Sequence, residues 1–151
     1  MSQDIRFYLR PAARVDAVAL HGLRTALFAE ITPDDVRDTA ADLDELIAIL
    51  TDPGSTSIWV ADVDDELAGY ARADALGAGH ERMIALNEIG VRADLRRHGL
   101  GTKLMYAAIG DMPAYAQGTR TDAETAGKEA EREFFVAHGF TLTEQAGRYI
   151  R

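Results

Sequence analysis

The chain contains no cysteine, which excludes a disulfide framework, a thiolate-bound zinc and a cysteine acyl-enzyme. That absence fits a reducing cytoplasm. No apolar run approaches the ~18 residues that a membrane helix requires. The stretch from Met1 to Arg10 mixes Asp4, Arg6 and Arg10 with its apolar residues, unlike the continuous apolar segment of a signal peptide. Positive charge is scarce as well: 16 Lys and Arg stand against 25 Asp and Glu, a formal net charge of −9. A protein that holds phosphate backbones needs the opposite balance, so nucleic acid is not an expected partner. The few prolines are scattered and no repeat or linker interrupts the 151 residues, so residues 1–151 read as one domain. With 47% hydrophobic residues the chain has the material for a conventional core. A soluble, cytoplasmic protein with no membrane association is expected.

The pattern of apolar residues then divides the chain into elements. Ile5 to Leu9 reads as a short strand stopped by Pro11, which has no N–H for a ladder. Val15, Val18, Gly22 and Ala26, flanked by Leu20, Leu23 and Leu27, recur at helical spacing from Ala12 to about Ala29. Thr32-Pro33-Asp34-Asp35 provides a cap, a proline at the first helical position and a carboxylate for the orphan N–H groups of a second helix. That helix offers Val36, Ala40, Leu43, Ile47 and Leu50 to a core and ends at Asp52-Pro53-Gly54. Ser57 to Ala61 and Glu66 to Ala73 make a hairpin around an acidic turn, and Arg82 to Val91 a central strand. Gly99 to Ile109 follows as a helix, Gly118 to Ala123 as a weak strand and Gly127 to Ala137 as a helix; Phe140 to Thr143 and Arg148 to Ile150 close the chain as a hairpin. The order β-α-α-β-β-β-α-β-α-β-β defines a mixed α/β domain, with Trp59 assigned to the core by strand alternation.

The most informative stretch is Ile89-Gly90-Val91-Arg92-Ala93-Asp94-Leu95-Arg96-Arg97-His98-Gly99-Leu100-Gly101-Thr102. An otherwise acidic chain here gathers Arg92, Arg96 and Arg97 just before two glycines that open a helix. Backbone N–H groups at a helix N-terminus, the helix dipole and the missing Cβ atoms together suit a phosphate or pyrophosphate. The plainer alternative is that Gly99 and Gly101 turn the chain while the arginines pair with surface acids. A dinucleotide fingerprint fails because position 104 is Leu, and a phosphate loop of the Gly-Lys-Ser/Thr type fails because Gly101-Thr102-Lys103 has the reverse order. The form Arg-x-x-Gly-x-Gly between a strand and a helix resembles the acetyl-CoA motif of the GNAT-type N-acetyltransferases. Arg96, Gly99 and Gly101 match it, with Val91 at the strand end and Leu104 at the apolar position beyond. The element order, Ile5-Arg6 with Asp16, and Phe134 to Phe140 near the end extend the likeness over the chain.

The resemblance implies a GNAT-like, strongly twisted mixed sheet of about seven strands flanked by four helices. It implies acetyl-CoA as acetyl donor, with the pantetheine arm against Ile89, Gly90 and Val91. The pyrophosphate would lie on the N–H groups from His98 through Gly99, Leu100, Gly101 and Thr102, with Arg96 and Arg97 adding charge. Lys128 stands where the family usually has Asn beside the pantetheine. The reaction implied is direct attack by an amine on the thioester, with a backbone N–H holding the oxyanion. The attacking ammonium must lose a proton, and Glu88, three residues before Val91, is the candidate base; the alternatives are anchoring of the acceptor amine or a salt bridge to a neighbouring strand. Uniform alternation puts Asn87, Ile89 and Val91 on one face and Glu88 on the other. The family's usual tyrosine acid is replaced by Phe135, which leaves Tyr149 as first candidate ahead of Tyr115 and Tyr106. From Glu30 to Asp52 eight acids face Arg37 alone, so Glu30, Asp35 and Asp38 are candidate contacts for a small cationic amine or a basic peptide amine; a solvated surface is the plainer account. No metal is expected, because no histidine has a second ligand at recognisable spacing. A CoA-binding sensor of the same fold is the alternative function, and the last hairpin's exposed strands make a homodimer the default assembly.

Overall fold

In the computed structural model, residues 6–31, 39–77, 83–110, 114–117, 134–137, 140–142 and 148–150 are described. Their strands are β1 (Tyr8–Pro11), β2 (Thr56–Val63), β3 (Glu66–Leu76), β4 (Met83–Val91), β5 (Ala114–Gln117), β6 (Thr141–Leu142) and β7 (Arg148–Ile150). The helices are α1 (Ala17–Ile31), α2 (Thr39–Thr51) and α3 (Leu100–Ile109), and residues 134–137 are also helical. One sheet runs in the order β1-β2-β3-β4-β5-β7-β6. All its pairings are antiparallel except β4 with β5. A parallel pair needs a long crossover, and α3 lies within it. The β2–β3 turn is tight: Asp64 and Asp65 both take positive φ, 52° and 64°, the handedness that follows the twist of a two-residue hairpin. No helix among the described residues is long and apolar enough to cross a membrane.

Side-chain alternation splits the core between the two sheet faces. Ala61, Val63, Ala71, Ala73 and Leu86 pack with Leu100, Leu104, Met105 and Ile109 of α3 and with Phe135 and Phe140. On the other face Ile58, Val60 and Tyr70 pack with Leu20, Leu23 and Leu27 of α1 and Leu46 of α2. The buried stripe of α1 is therefore the leucine set, at i, i+3 and i+7. Val15 and Val18, expected to face the core, are 88% and 72% exposed, because the flanking leucines are larger and bury more apolar area on the side that meets the sheet. In α2 the deeply buried residue is Leu46, with Ile49 and Leu50 packed beside it, rather than a stripe running through Leu43 and Ile47. A strand lies at Ala114–Gln117, while the strand expected over 118–123 falls outside the described residues; β1 ends at Pro11 and includes it, since an edge strand tolerates a missing donor.

Uniform alternation fails in β4. Arg72 opposes Glu88 but Ala73 opposes Leu86, so Asn87 is one extra residue, a bulge that shifts the phase. Leu86 before it and Ile89 and Val91 after it all face α3, whereas a Cβ on Gly90 would point at Leu27 and Tyr70 on the α1 face. Asn87 itself donates to Asp74.

The first strand is tied down by charge. Arg10 donates two hydrogen bonds to Asp16, at 2.7 and 2.8 Å, and two to Asp62 on β2, at 2.6 and 3.3 Å. The Ala13 N–H also donates to Asp16, at 2.7 Å. These hydrogen bonds, that of Arg10 foremost, hold the Asp16 carboxyl below the usual aspartate range although burial opposes the shift. The stability this carboxylate contributes is present above the unfolded value of 3.8 and is lost as pH falls through the lower folded value. Asp16→Asn should therefore flatten the acid limb of a stability-versus-pH curve measured by denaturant unfolding. A second test concerns β3 against β4, where a Cβ on Gly69 would stand 2.8 Å from the Gly90 carbonyl oxygen. Gly69→Ala should lower unfolding free energy by about 1–3 kcal/mol. Gly90→Ala should cost less, because its nearest obstacle is the movable end of Leu27.

Candidate active site

The site begins where β4 leaves β5. The two pair only from Ile84 to Leu86, opposite Ala114 to Ala116, and beyond Leu86 no strand lies along that side of β4 among the described residues. Which main-chain groups face the gap follows from the other edge. Arg92 N–H donates to Ala68 O at 2.8 Å, so alternation makes the pairs Gly69 with Val91 and Ala71 with Ile89 the ones without mutual hydrogen bonds. The main-chain groups of Ile89 and Val91 therefore point away from β3 into the gap. An extended molecule carrying amides fits such an edge as an added strand.

At the C-terminal end of β4 the chain turns into α3. Arg97 takes φ 67° and Gly99 φ 84°, and Gly99 forms the N-cap of α3 without a side-chain cap hydrogen bond. Its carbonyl accepts the first helical bond, from Lys103 N–H at 3.1 Å. The N–H groups of Leu100 and Gly101 precede that bond and belong to the unpaired first turn of a helix, suited to an anion. The two glycines have different jobs here. Gly99 supplies a left-handed conformation, while Gly101 packs beside the Phe134 ring, where a Cβ would make an ordinary contact at 3.4 Å. Leu100 is buried in the core and has only its main chain to offer.

The arginines of this turn divide by partner. Arg92 pairs with Asp94 and Glu66, the plainer role envisaged for a basic residue here. Arg96 donates through Nε to Val91 O at 2.9 Å and through Nη2 to Glu30 at 2.7 Å. Its side chain braces the turn against the end of α1 instead of reaching outward. Arg97 and His98 are exposed, and Arg97 makes no hydrogen bond or ion pair among the described residues.

On the opposite face of β4 lies a cluster that single-residue reasoning did not bring together. Glu88 accepts from Arg24 Nε and Nη2 at 2.9 and 3.0 Å and from the Tyr70 hydroxyl at 2.9 Å. Arg72 approaches the same carboxylate at 3.6 Å. Burial, with Glu88 alongside, pushes the Tyr70 hydroxyl well above the usual tyrosine range, so it stays a donor. Arg24 also lies over the Phe28 ring at 5.7 Å. One signal for this cluster was present in the sequence: Tyr70 and Arg72 alternate with Gly69, Ala71 and Ala73 in a strand that is otherwise small and apolar.

Other expected site residues are located as follows. Glu30 is at the end of α1, engaged by Arg96. Phe135 is buried between Phe134 and Phe140 in edge-to-face contacts. Tyr149 pairs with Ala116, which pairs with Leu86, so its backbone is in the row where the gap begins. Asp35, Asp38, Lys128 and the side chain of Tyr149 lie outside the described residues; nothing follows for Thr102 beyond its position in the first turn of α3.

A family model described as the acetyltransferase (GNAT) family matches residues 20–140. No curated protein matches the chain. Among solved structures, the aminoglycoside N-acetyltransferase AAC(6')-Iy in complex with CoA is 19% identical with TM-score 0.72, over 97% of this chain and 95% of that one. An acetyltransferase from Thermus thermophilus is 22% identical with TM-score 0.71, over 99% of both chains. The PaiA N-acetyltransferase from Thermoplasma acidophilum in complex with coenzyme A is 12% identical with TM-score 0.72, over 97% of both. At these identities the likeness is one of fold.

The Glu88 cluster is open to a direct energetic test. Arg24→Met removes two charged hydrogen bonds from a carboxylate only 15% exposed, and should lower unfolding free energy in urea by about 1–3 kcal/mol. The same substitution in a Glu88→Gln background should cost much less, and equal costs in the two backgrounds would show the pair to be uncoupled.

Proposed function

The chain belongs to the acetyltransferase (GNAT) family, an acyltransferase family that uses acetyl-CoA. From that premise we propose that it moves the acetyl group of acetyl-CoA directly to a primary amine. The observation that carries the proposal is the edge of β4 beyond Leu86, which has no paired strand among the described residues and runs straight into the glycine turn and the N-terminus of α3. An amide-bearing pantetheine arm suits the main-chain groups of Ile89 and Val91, and a pyrophosphate suits the first N–H groups of α3 with Arg97 beside them. His98 and Gly99 contribute main chain to the same turn. Arg96 acts by shaping that turn, since its guanidinium is held by Val91 and Glu30.

In the proposed step the amine lone pair attacks the thioester carbonyl carbon and the C–S bond breaks. The sulfur leaves as thiolate and takes a proton, giving free CoA thiol, while the new amide nitrogen gives up a proton. No acyl-enzyme on cysteine is available, because the chain has none. Glu88 accepts three hydrogen bonds already. Its role is therefore that of a fixed negative charge near the acceptor amine rather than a base with a lone pair turned to the gap, and water removes the proton. Tyr149 is the proposed donor to the leaving sulfur, by virtue of its row beside the gap. The acceptor is a small-molecule or peptide amine. A cationic acceptor draws no support from Glu30, whose carboxylate is bound to Arg96, and rests on Asp35 and Asp38 alone. A cytoplasmic location follows from the cysteine-free composition and a homodimer from the terminal hairpin edge. A second reading, CoA binding without turnover, is favoured by Phe135, a buried core residue that has no proton to give.

Acetyl-CoA mixed with the protein and a panel of primary amines should release free thiol, detected colorimetrically, with acetylated amine found by mass spectrometry. Tight CoA binding with no thiol release across the panel would establish the second reading instead. Glu88→Gln separates the two roles of that carboxylate. A fixed charge predicts a raised acceptor KM with an unshifted pH–rate profile; loss of the profile's acidic limb would mark a base.

A further inference from the structure

Arg72 is the side chain of the central cluster whose chemistry is left incomplete. It projects from β3 on the α1 and α2 face, opposite Glu88 in register and beside the Asn87 bulge. Its side chain is only 21% exposed, yet among the described residues it makes no hydrogen bond. Its contacts are ion pairs at 3.6 Å to Glu88 and 4.0 Å to Glu45, and its buried Nε has no partner. A guanidinium carries five donors in a rigid fork that suits a planar carboxylate. Glu88 does not complete that fork, because both its oxygens are turned to Arg24 and Tyr70. Glu45 does not either, with a side chain 63% exposed on α2.

Charge points the same way. Two guanidinium groups, Arg24 and Arg72, flank the one buried carboxylate of Glu88, and the other carboxylate near Arg72, that of Glu45, stands 4.0 Å away on an exposed side chain. A polycationic acceptor would have to bring further positive charge beside Arg72. A carboxylate has the fork geometry to take the Arg72 donors that Glu88 and Glu45 leave without a hydrogen bond.

We propose that the acceptor is a small amino carboxylic acid, whose carboxylate is taken by Arg72 while its amine is directed to the edge of β4. The proposal rests on the acetyl-transfer reading and reverses the charge expected from the acidic stretch between Glu30 and Asp52. Arg72 is then the residue that selects the acceptor, and Arg24 fixes Glu88 so that it does not turn to Arg72.

The test uses the full-length protein, acetyl-CoA, and a panel of L-amino acids set against their carboxamides, with a polyamine as cationic control. Thiol release should favour acids over the matching amides. Arg72→Gln should cut the acid-to-amide ratio of kcat/KM by roughly tenfold to a hundredfold, the size of a charged hydrogen bond, chiefly through KM, and Arg72→Lys should restore part of it. Calorimetric titration of CoA into each variant checks that the fold and the donor site persist. Turnover of amides or polyamine at or above the level of the acids, or an unchanged ratio in Arg72→Gln, would overturn the proposal. Should no amine be turned over, the acetyl-transfer reading fails by itself. Titration of the same acids and amides into the CoA-loaded protein then decides the acceptor class: acid-selective binding lost in Arg72→Gln supports it, and its absence refutes it.

Discussion

Asn87, the extra residue in β4, sets how the two faces of the central strand are used. Were Asn87 an ordinary strand residue instead of a bulge, Leu86 and Glu88 would share a face, and either a core leucine or the Arg24 partner would be turned the wrong way. With it, Leu86, Ile89 and Val91 all pack toward α3, while Glu88 and Gly90 turn toward α1. The bulge falls one residue beyond the last pairing of β4 with β5. The phase change, the opening of the strand edge and the polar cluster thus occupy the same few residues, as bulges next to functional sites commonly do.

Close backbone approach makes the arrangement rigid. Gly69 meets the Gly90 carbonyl and Leu104 of α3, Gly90 leaves space for Leu27 and Tyr70, and Gly101 packs beside the Phe134 ring. These contacts connect α1, β3, β4, α3 and the helical residues 134–137 around one strand end. The turn at Gly99 is therefore mounted on packed elements at its flanks, the condition for main-chain donors to hold a fixed geometry.

The charge of −9 is also resolved into local roles. Asp16 and Asp62 anchor Arg10, Glu66 and Asp94 hold Arg92, Glu30 holds Arg96, and Glu88 holds Arg24. Such pairings consume much of the visible arginine chemistry. Arg97 at the helix turn and Arg72 at the β3–β4 face differ from the rest: the first is exposed without a described partner, the second is largely buried without a hydrogen bond. The first follows the C-terminal end of β4, and the second opposes Glu88 from β3.

The order of elements and the glycine turn before α3 were legible in the sequence, because they depend on neighbours within a few residues: Arg96, Gly99 and Gly101 in one loop, and alternating or helical apolar spacing elsewhere. Phase and partnership were not. A bulge at Asn87 leaves no mark in composition, so uniform alternation set Glu88 apart from Ile89 and Val91, as found, but put Asn87 in phase with them, and valines at helical spacing concealed that the leucines of α1 bury more area. Whether Arg96 reaches outward or braces Val91 and Glu30, and whether Glu88 is open or enclosed by Arg24 and Tyr70, depends on side chains 18 to 66 positions apart in the chain. Local sequence determined the strand, the turn and the helix that make a donor site. Only tertiary packing decided which charges remain available around it, because an ion pair satisfied across the fold is indistinguishable in the sequence from one left waiting for a ligand.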